Sequence, residues 1–158
     1  MNRTFLKSNT PPKHAGCVAI EGSLCYNICG MTAQTKTPKH HILITEDEPA
    51  LARTLLLKLE HVGFSVTLAH NGQEALDLIQ KGKFDLIVLD LIMPVMDGWE
   101  VLAKCHERGI TTPIIVASNL GQESDIAKAK ELGAVDYLIK SNTTIKEITE
   151  RIASHIPS

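Results

Sequence analysis

Four short polar segments hold the residues of this chain that could do chemistry. Each follows directly on a short apolar run; they are Glu46-Asp47, Asp90, Ser118 and Lys140. Carboxylates held close together repel, and a hard divalent cation such as Mg²⁺ relieves that repulsion. A carboxylate balanced in this way can attack phosphorus, while cations and hydroxyls bind the phosphoryl oxygens. The residue types therefore predict Mg²⁺-dependent phosphoryl transfer to Asp90, with Lys140 and Ser118 binding the transferred group.

Asp90 ends the apolar run 86–89, and the turn-forming residues Pro94, Asp97 and Gly98 come after it. An unpaired carboxylate inside such a run would be too costly to keep ionised, so Asp90 is expected at the rim of a buried strand. At that position it is a candidate nucleophile or metal ligand.

The apolar pattern from His41 onward predicts the elements that position these residues. Short apolar runs alternate with longer segments of helical period, and they predict strands at 42–45, 65–68, 86–89, 114–117 and 137–139. Strands that are apolar on both faces and joined by helices favour a parallel sheet covered on both sides. The predicted fold is a doubly wound α/β fold with five parallel strands and five helices.

The helical segments show apolar stripes and glycine ends. The stripes of the first and last helices are Leu51, Leu55, Leu59 and Val62, and Ile145, Ile148 and Ile152. A glycine follows each of the first four helices, where a left-handed cap is expected: Gly63, Gly82, Gly109 and Gly133. In such folds, ligands bind beyond the carboxyl ends of the strands, which places all four polar segments on one rim.

Each polar segment also has a purely structural interpretation. Asp47 or Glu48 suits the cap of a helix that begins at Pro49. Asp90 and Asp97 suit turns, Ser118-Asn119 a helix cap, and Lys140 a solvated position. The placement of all four segments on the same rim favours a functional site over four coincidences.

Composition separates a tail, residues 1–38, from a folded domain, residues 39–158. The tail mixes prolines, hydroxyl residues and isolated apolar residues without a period, so we expect it to be disordered, and Met31 is a candidate for the true start. Residues 1–40 hold five Lys/Arg and one acid, against eleven and seventeen afterwards. The acidic domain argues against direct nucleic-acid binding.

The longest apolar runs are far shorter than the roughly 20 residues of a membrane span, so a soluble protein without membrane contact is expected. A fold built on disulfides is excluded because Cys105 is the one cysteine of the predicted domain. Zinc binding by His14, Cys17, Cys25 and Cys29 is an alternative, although their spacing matches no common zinc motif. Reduced thiols in a cytoplasmic protein are the simpler interpretation.

With these residues assembled, the stretch 41–156 resembles the receiver domain of two-component response regulators, and among them the stand-alone regulators of chemotaxis. The resemblance rests on Glu46-Asp47, Asp90 with its Met93-Pro94 and Asp97-Gly98 context, Ser118, Tyr137 and Lys140. It implies a flavodoxin-like fold with strand order 2-1-3-4-5.

The resemblance also implies roles for individual residues. Asp90 would accept phosphate from a sensor histidine kinase or a histidine phosphotransfer protein. It would ligate Mg²⁺ together with Asp47, with Glu46 acting mostly through water, and with the main-chain carbonyl of Ile92. Lys140 would bind the phosphoryl group. Ser118 and Tyr137 would form the conformational switch, with Tyr137 rotating into space that opens when Ser118 moves inward.

Three residues depart from the family pattern, and each departure leads to an expectation about the site. Glu46 stands where aspartate is more common, which lengthens the arm toward a metal. Ile92 offers no hydrogen bond to a water attacking the acyl phosphate, so self-dephosphorylation is expected to be slow. Ser141 follows Lys140 in place of proline, which puts a cis bond there in doubt because a non-proline cis peptide costs about 3–4 kcal/mol.

The expected function is that of a single-domain response regulator that signals by changing protein-protein contacts with an unknown downstream protein, with phosphorylation-dependent homodimerisation as one form of output. It is not expected to be an enzyme beyond its own phosphorylation and dephosphorylation. A true phosphatase or phosphotransferase would need a second acid at position 92. A phosphate-independent interaction module is the other alternative, for which Ile92, Asn119 and Ser141 leave room.

Overall fold

A computed structural model describes residues 40–156, in which strands and helices alternate along the chain. The strands are β1 (His41–Thr45), β2 (Ser65–Ala69), β3 (Leu86–Leu89), β4 (Ile114–Ser118) and β5 (Asp136–Ile139). The helices are α1 (Pro49–His61), α2 (Gly72–Lys81), α3 (Gly98–Glu107), α4 (Glu123–Glu131) and α5 (Ile145–His155). The predicted tail, its candidate zinc ligands and Met31 lie outside the described residues.

The five strands form one parallel sheet in the order β2-β1-β3-β4-β5. This confirms the predicted doubly wound fold and its strand order. Each predicted strand is present, and four of them are one residue longer than predicted, because the ladder continues through one further residue at one end: His41, Ala69, Ser118 and Asp136. Thr45, for example, pairs with both Ala69 and Leu89.

The helices cover the two faces of the sheet as two separate layers. On one face, α2, α3 and α4 pack residues such as Leu76, Leu102 and Ala129 against the sheet. On the other face, α1 and α5 contribute residues such as Leu55 and Ile152. Burial of both faces explains why the strands are apolar without alternation. None of the helices in residues 40–156 combines the length and the hydropathy that a membrane crossing requires.

One residue of the predicted stripe on α1 does not face the sheet. Val62 is 51 % exposed, because α1 ends at His61 and Val62 lies in the turn that leads into β2. Ala52 is buried on α1 together with Leu55 and Leu59. The predicted stripe of α5 is confirmed, with Ile148 and Ile152 buried and Ile145 packed against the same core.

Three of the four predicted glycine caps are left-handed, with φ of 101° at Gly63, 65° at Gly109 and 95° at Gly133. The prediction for Gly82 is wrong, because this residue is extended (φ −116°, ψ 166°). The chain leaves α2 straight toward β3, and a β-carbon at Gly82 would lie 3.2 Å from both the Leu78 carbonyl oxygen and the Phe84 ring. Glycine is suited to this position by close packing rather than by a left-handed turn.

Candidate functional site

The site lies at the carboxyl edge of the sheet, where the strand order reverses between β1 and β3. Glu46 follows β1, and Asp90 follows β3. Backbone hydrogen bonds hold both residues: the Glu46 N–H donates to the Ala69 carbonyl and the Asp90 N–H to the Thr45 carbonyl, each at 3.0 Å. Two adjacent parallel strands therefore bring their terminal acids together, as expected for a doubly wound sheet.

Three predicted acids form one cluster. Glu46, Asp47 and Asp90 can each offer a carboxylate oxygen such that these oxygens lie within 4.8 Å of one another. Glu46 and Asp90 are 3 % and 5 % exposed, whereas Asp47 is open to solvent. Such a set of hard oxygen donors, with one side toward water, suits Mg²⁺, which prefers carboxylates and keeps several of its waters.

Lys140, at the end of β5, joins this cluster. Its Nζ lies 2.6 Å from Asp90 Oδ2 and 2.6 Å from Glu46 Oε2. Sequence reasoning placed Lys140 and Glu46 on the same rim but did not anticipate their direct ion pair. The two bonds hold the ammonium group against the carboxylate that is predicted to react.

The local environment raises the pKa of both Glu46 and Lys140. Burial raises the pKa of Glu46, although the hydrogen bond and charge of Lys140 oppose this rise. Burial alone would lower the pKa of Lys140, but the hydrogen bonds to Asp90 and Glu46 outweigh it and raise the pKa above its ordinary value. Lys140 is therefore a cation at neutral pH, as its predicted role requires.

Ser118 and Tyr137 meet at the backbone of Leu120, in the loop between β4 and α4. Ser118 is fully buried, and its Oγ accepts a hydrogen bond from the Leu120 N–H at 3.3 Å. The Tyr137 hydroxyl donates to the Leu120 carbonyl at 2.8 Å. The pKa of Tyr137 is raised, first by burial and then by the Asp125 carboxylate, which keeps the phenol protonated as a donor. Ser118 and Tyr137, the two predicted switch residues, thus bind the N–H and the carbonyl of the same loop residue, Leu120.

Leu120 was missed by sequence reasoning because it acts through its backbone, for which its side-chain type gives no signal.

Gly98 also acts through its backbone, because it allows α3 to approach Asp90, and its interpretation as a turn residue did not predict this. A β-carbon at Gly98 would clash with the carbonyl oxygen of Asp90, so α3 can approach the acid only with glycine at this position. Asp97 has a structural role, but as the N-cap of α3 rather than as the turn former that its sequence context suggested: its side chain accepts from the Glu100 N–H at 2.8 Å.

The other structural interpretations have mixed outcomes. Glu48 is the N-cap of α1, with Pro49 in the first turn, but its side chain makes no capping hydrogen bond. Ser118-Asn119 do not cap α4, because that helix begins at Glu123 after the N-cap Gln122.

The positions that depart from the family pattern have clear local structures. Ile92 is 54 % exposed beside the cluster, and its N–H donates to Asp90 Oδ1 at 3.1 Å. The peptide bond between Lys140 and Ser141 is trans, like every other peptide bond in residues 40–156. Residues Lys140–Asn142 form a short 3₁₀ turn instead, closed by the Thr143 N–H on the Lys140 carbonyl at 3.4 Å.

A comparison with protein families matches residues 42–153 to the response regulator receiver domain. Among curated proteins, the chain is 40 % identical over 114 residues to the uncharacterized transcriptional regulatory protein YkoG of Bacillus subtilis, covering 72 % of this chain and 50 % of that protein. It is 39 % identical over 99 residues to the transcriptional regulatory protein PcoR of Escherichia coli, covering 63 % and 44 %. The chain thus spans about half the length of the curated relatives it matches.

Solved structures show the same likeness over nearly the whole of the compared chains. The receiver domain of the Francisella response regulator 1452 matches with a TM-score of 0.70 and 32 % identity, covering 73 % of this chain and 95 % of that one. A two-component response regulator from Clostridium difficile matches with a TM-score of 0.69 and 30 % identity, covering 74 % and 95 %.

Proposed function

The chain belongs to the response regulator receiver domain family, and from that premise we propose that Asp90 accepts a phosphoryl group from a histidine kinase or a histidine phosphotransfer protein. The observation that carries the proposal is the contact between Lys140 and Asp90, at 2.6 Å, inside a cluster of acids at the switch point of the sheet. Receiver domains serve as signalling modules, and the output proposed here is a change in protein-protein contacts.

The residues of the site support each part of the transfer. An oxygen of the Asp90 carboxylate bonds to phosphorus while the bond between phosphorus and the donor's imidazole nitrogen breaks, and the imidazole leaves with the electron pair. Lys140 moves from the Asp90 carboxylate to a phosphoryl oxygen and balances its charge. The Ile92 N–H, which donates to Asp90 Oδ1 at 3.1 Å, orients the carboxylate.

Glu46, Asp47, Asp90 and the main-chain carbonyl of Ile92 would hold Mg²⁺. When bound, the ion supplies charge stabilisation for the acids and for the transferring phosphoryl oxygens. Glu46 is held by Lys140 and buried, which suits the predicted action through water, while the exposed Asp47 is free to ligate directly.

The switch follows from the hydrogen bonds at Leu120. A phosphoryl group on Asp90 offers Ser118 a charged acceptor, and such hydrogen bonds are about twice as strong as neutral ones. Movement of the hydroxyl toward that acceptor would release the Leu120 N–H, and rotation of Tyr137 into the space behind Ser118 would release the Leu120 carbonyl, so the loop before α4 would rearrange. The altered surface would then bind the downstream protein or a second copy of the chain.

The direct test is the intact mass of the full chain after incubation with acetyl phosphate and Mg²⁺. We expect one phosphoryl adduct, which disappears with EDTA and in the Asp90→Asn variant. Asp97→Asn is the matched control, because it removes an acid from the same loop while asparagine still caps α3. This variant should form the adduct as the native chain does.

Two outcomes would contradict the proposal. An adduct that persists in Asp90→Asn would place the phosphoryl group elsewhere. Absence of an adduct on folded, Mg²⁺-bound protein would favour the phosphate-independent interaction module. The absence of direct nucleic-acid contact stays a prediction, which DNA-binding assays with the complete protein can test.

A further inference from the structure

The helix α4 is weakly anchored to the sheet. Ala129 is its one buried residue, whereas each of the other four helices in residues 40–156 buries three or four residues. Its N-cap Gln122 makes no side-chain hydrogen bond. Elements with few buried apolar contacts open locally at low free energy. A single contact on the surface of α4 is therefore enough to change the equilibrium between its packed and displaced positions.

A cation–π contact joins α4 to α3. Lys128 Nζ lies 4.2 Å from the centre of the Trp99 ring, well inside the roughly 6 Å over which a ring attracts a cation. Lys128 is exposed on α4, while Trp99 is half-buried and packs against the core on that face of the sheet. At an exposed site, a contact of this kind changes an equilibrium constant by about two- to fivefold.

Trp99 is held close to the backbone of Asp90. It follows Gly98, whose N–H donates to the Leu91 carbonyl at 3.0 Å, and a β-carbon at Gly98 would clash with the Asp90 carbonyl oxygen. The first turn of α3 therefore packs directly against the backbone that leaves Asp90. Four buried residues anchor α3 to the core. The cation–π contact thus joins a firmly anchored helix beside the acid to a weakly anchored one.

We infer that the Trp99–Lys128 contact restrains α4 in the position that this helix has in the unphosphorylated domain. The contact lies in the last turn of α4, whereas the hydrogen bonds of Ser118 and Tyr137 hold the loop before its first turn. The two ends of the helix are therefore restrained by separate interactions. Loss of the contact raises the population of the displaced helix, and any state that requires this displacement then forms more readily. The inference rests on the proposed function for the event that displaces the helix.

The test compares Lys128→Met with Lys128→Arg in the full chain. Methionine keeps an unbranched apolar side chain but removes the charge, whereas arginine keeps a cation that the ring attracts. Lys130→Met is the matched control, because it removes the same charge from the same last turn of α4. Amide hydrogen exchange of the unphosphorylated protein in EDTA, followed in ¹H–¹⁵N NMR spectra, measures local opening of the helix.

In Lys128→Met we expect the amides of α4 to exchange about two- to fivefold faster, with those of α3 and the sheet unchanged. Formation of the phosphoryl adduct with acetyl phosphate and Mg²⁺ should accelerate by up to the same factor, because the displaced helix is then more populated. Lys128→Arg and Lys130→Met should behave as the native chain does in both measurements.

Unchanged exchange of α4 in Lys128→Met would overturn the inference. An equal acceleration in Lys130→Met would overturn it too, since the effect would then belong to the charge of the helix end. Faster exchange throughout the domain would make Lys128 merely structural, and faster exchange of α4 without faster adduct formation would separate the contact from the switch; either result contradicts the inference. A native chain that takes no phosphoryl group would refute the proposed function, and the exchange of α4 alone would then decide whether the contact restrains the helix.

Discussion

Lys140 shows how single residues define this site. It bonds to Asp90 and Glu46 at 2.6 Å each, so two buried carboxylates share one cation. A buried ion pair stabilises poorly on its own because desolvation offsets the attraction. The arrangement is better explained as a site ready to receive charge, since the ammonium group already lies where a phosphoryl oxygen on Asp90 would need it.

Ile92 sets the expected lifetime of the phosphorylated state. Its side chain is exposed beside Asp90 and offers no hydrogen bond to an attacking water. We expect phosphorylated Ile92→Asn to hydrolyse about fivefold faster, because one hydrogen bond is worth about 1 kcal/mol and about 1.4 kcal/mol is a factor of ten in rate. The decay of the phosphoryl adduct after removal of acetyl phosphate measures this. Ile92→Val is the control, and a native lifetime of only seconds to minutes at neutral pH would contradict the idea.

Thr45 carries a buried hydroxyl that has no hydrogen-bond partner among the described residues. Leaving a buried polar group unpaired costs about 1–3 kcal/mol. We therefore expect Thr45→Val to raise the free energy of unfolding by about 1 kcal/mol, measured by urea denaturation. Thr45→Ser keeps the hydroxyl and loses a methyl group, so it should be less stable than the native chain. A destabilised Thr45→Val would indicate that the hydroxyl is paired, for example with an ordered water.

At the scale of elements, α4 is the helix best placed to move. Ala129 is its one buried residue, and its N-cap Gln122 makes no side-chain hydrogen bond. A cation–π contact ties it to α3, with Lys128 Nζ 4.2 Å from the centre of the Trp99 ring. Elements with few buried apolar contacts open at low free energy. Ser118 and Tyr137 form their hydrogen bonds to the loop before α4. The switch therefore acts on a helix with few buried contacts.

The helix α5 has the opposite character, because a capping box fixes its start. The Thr144 hydroxyl accepts from the Glu147 N–H at 3.2 Å, and the Glu147 carboxylate accepts from the Thr144 N–H at 2.7 Å. The backbone hydrogen bond from Thr144 holds the pKa of Glu147 below its usual value. A lowered folded pKa contributes stability above the unfolded pKa, and this contribution is lost as pH falls through the folded pKa.

We therefore expect Glu147→Gln to be less stable than the native chain at pH 7. The difference should shrink below pH 4.5, the ordinary value for this group, and vanish once the native carboxyl is protonated. Urea unfolding across that range measures it. Glu150→Gln removes the same charge from an exposed position of the same helix and serves as the control. A difference that stays constant with pH would show that the ionised cap is not its origin.

At the scale of the whole molecule, the sequence predicted what depends on burial and failed on what depends on backbone detail. The strands could be predicted because a sheet covered on both faces requires apolar runs. The site could be predicted because acids such as Asp90 follow directly on those runs. The extended backbone of Gly82, the backbone role of Leu120 and the positive φ of Val95, at 69°, could not be predicted from the sequence. Each results from how distant segments meet, which a residue type in isolation does not encode.

The acid cluster also couples the site to the stability of the whole fold. A ligand that binds only the folded state raises the free energy of unfolding by RT ln(1 + [L]/Kd), which is about 2.7 kcal/mol at a ligand concentration of 100 Kd. We expect Mg²⁺ to raise the free energy of unfolding by about this amount, and Asp47→Asn to reduce the effect strongly. In EDTA, Asp47→Asn should be as stable as the native chain or more so, because one repelling charge of the cluster is gone.

Urea unfolding of the native chain, Asp47→Asn and Asp97→Asn, each with Mg²⁺ and with EDTA, provides the measurement. Asp97→Asn should respond to Mg²⁺ as the native chain does, since Asp97 caps α3 and lies outside the cluster. A full Mg²⁺ response in Asp47→Asn would place the ion away from Glu46, Asp47 and Asp90. A response confined to proteins with the intact cluster would tie the metal, the reactive carboxylate and the stability of the sheet edge to the same three side chains.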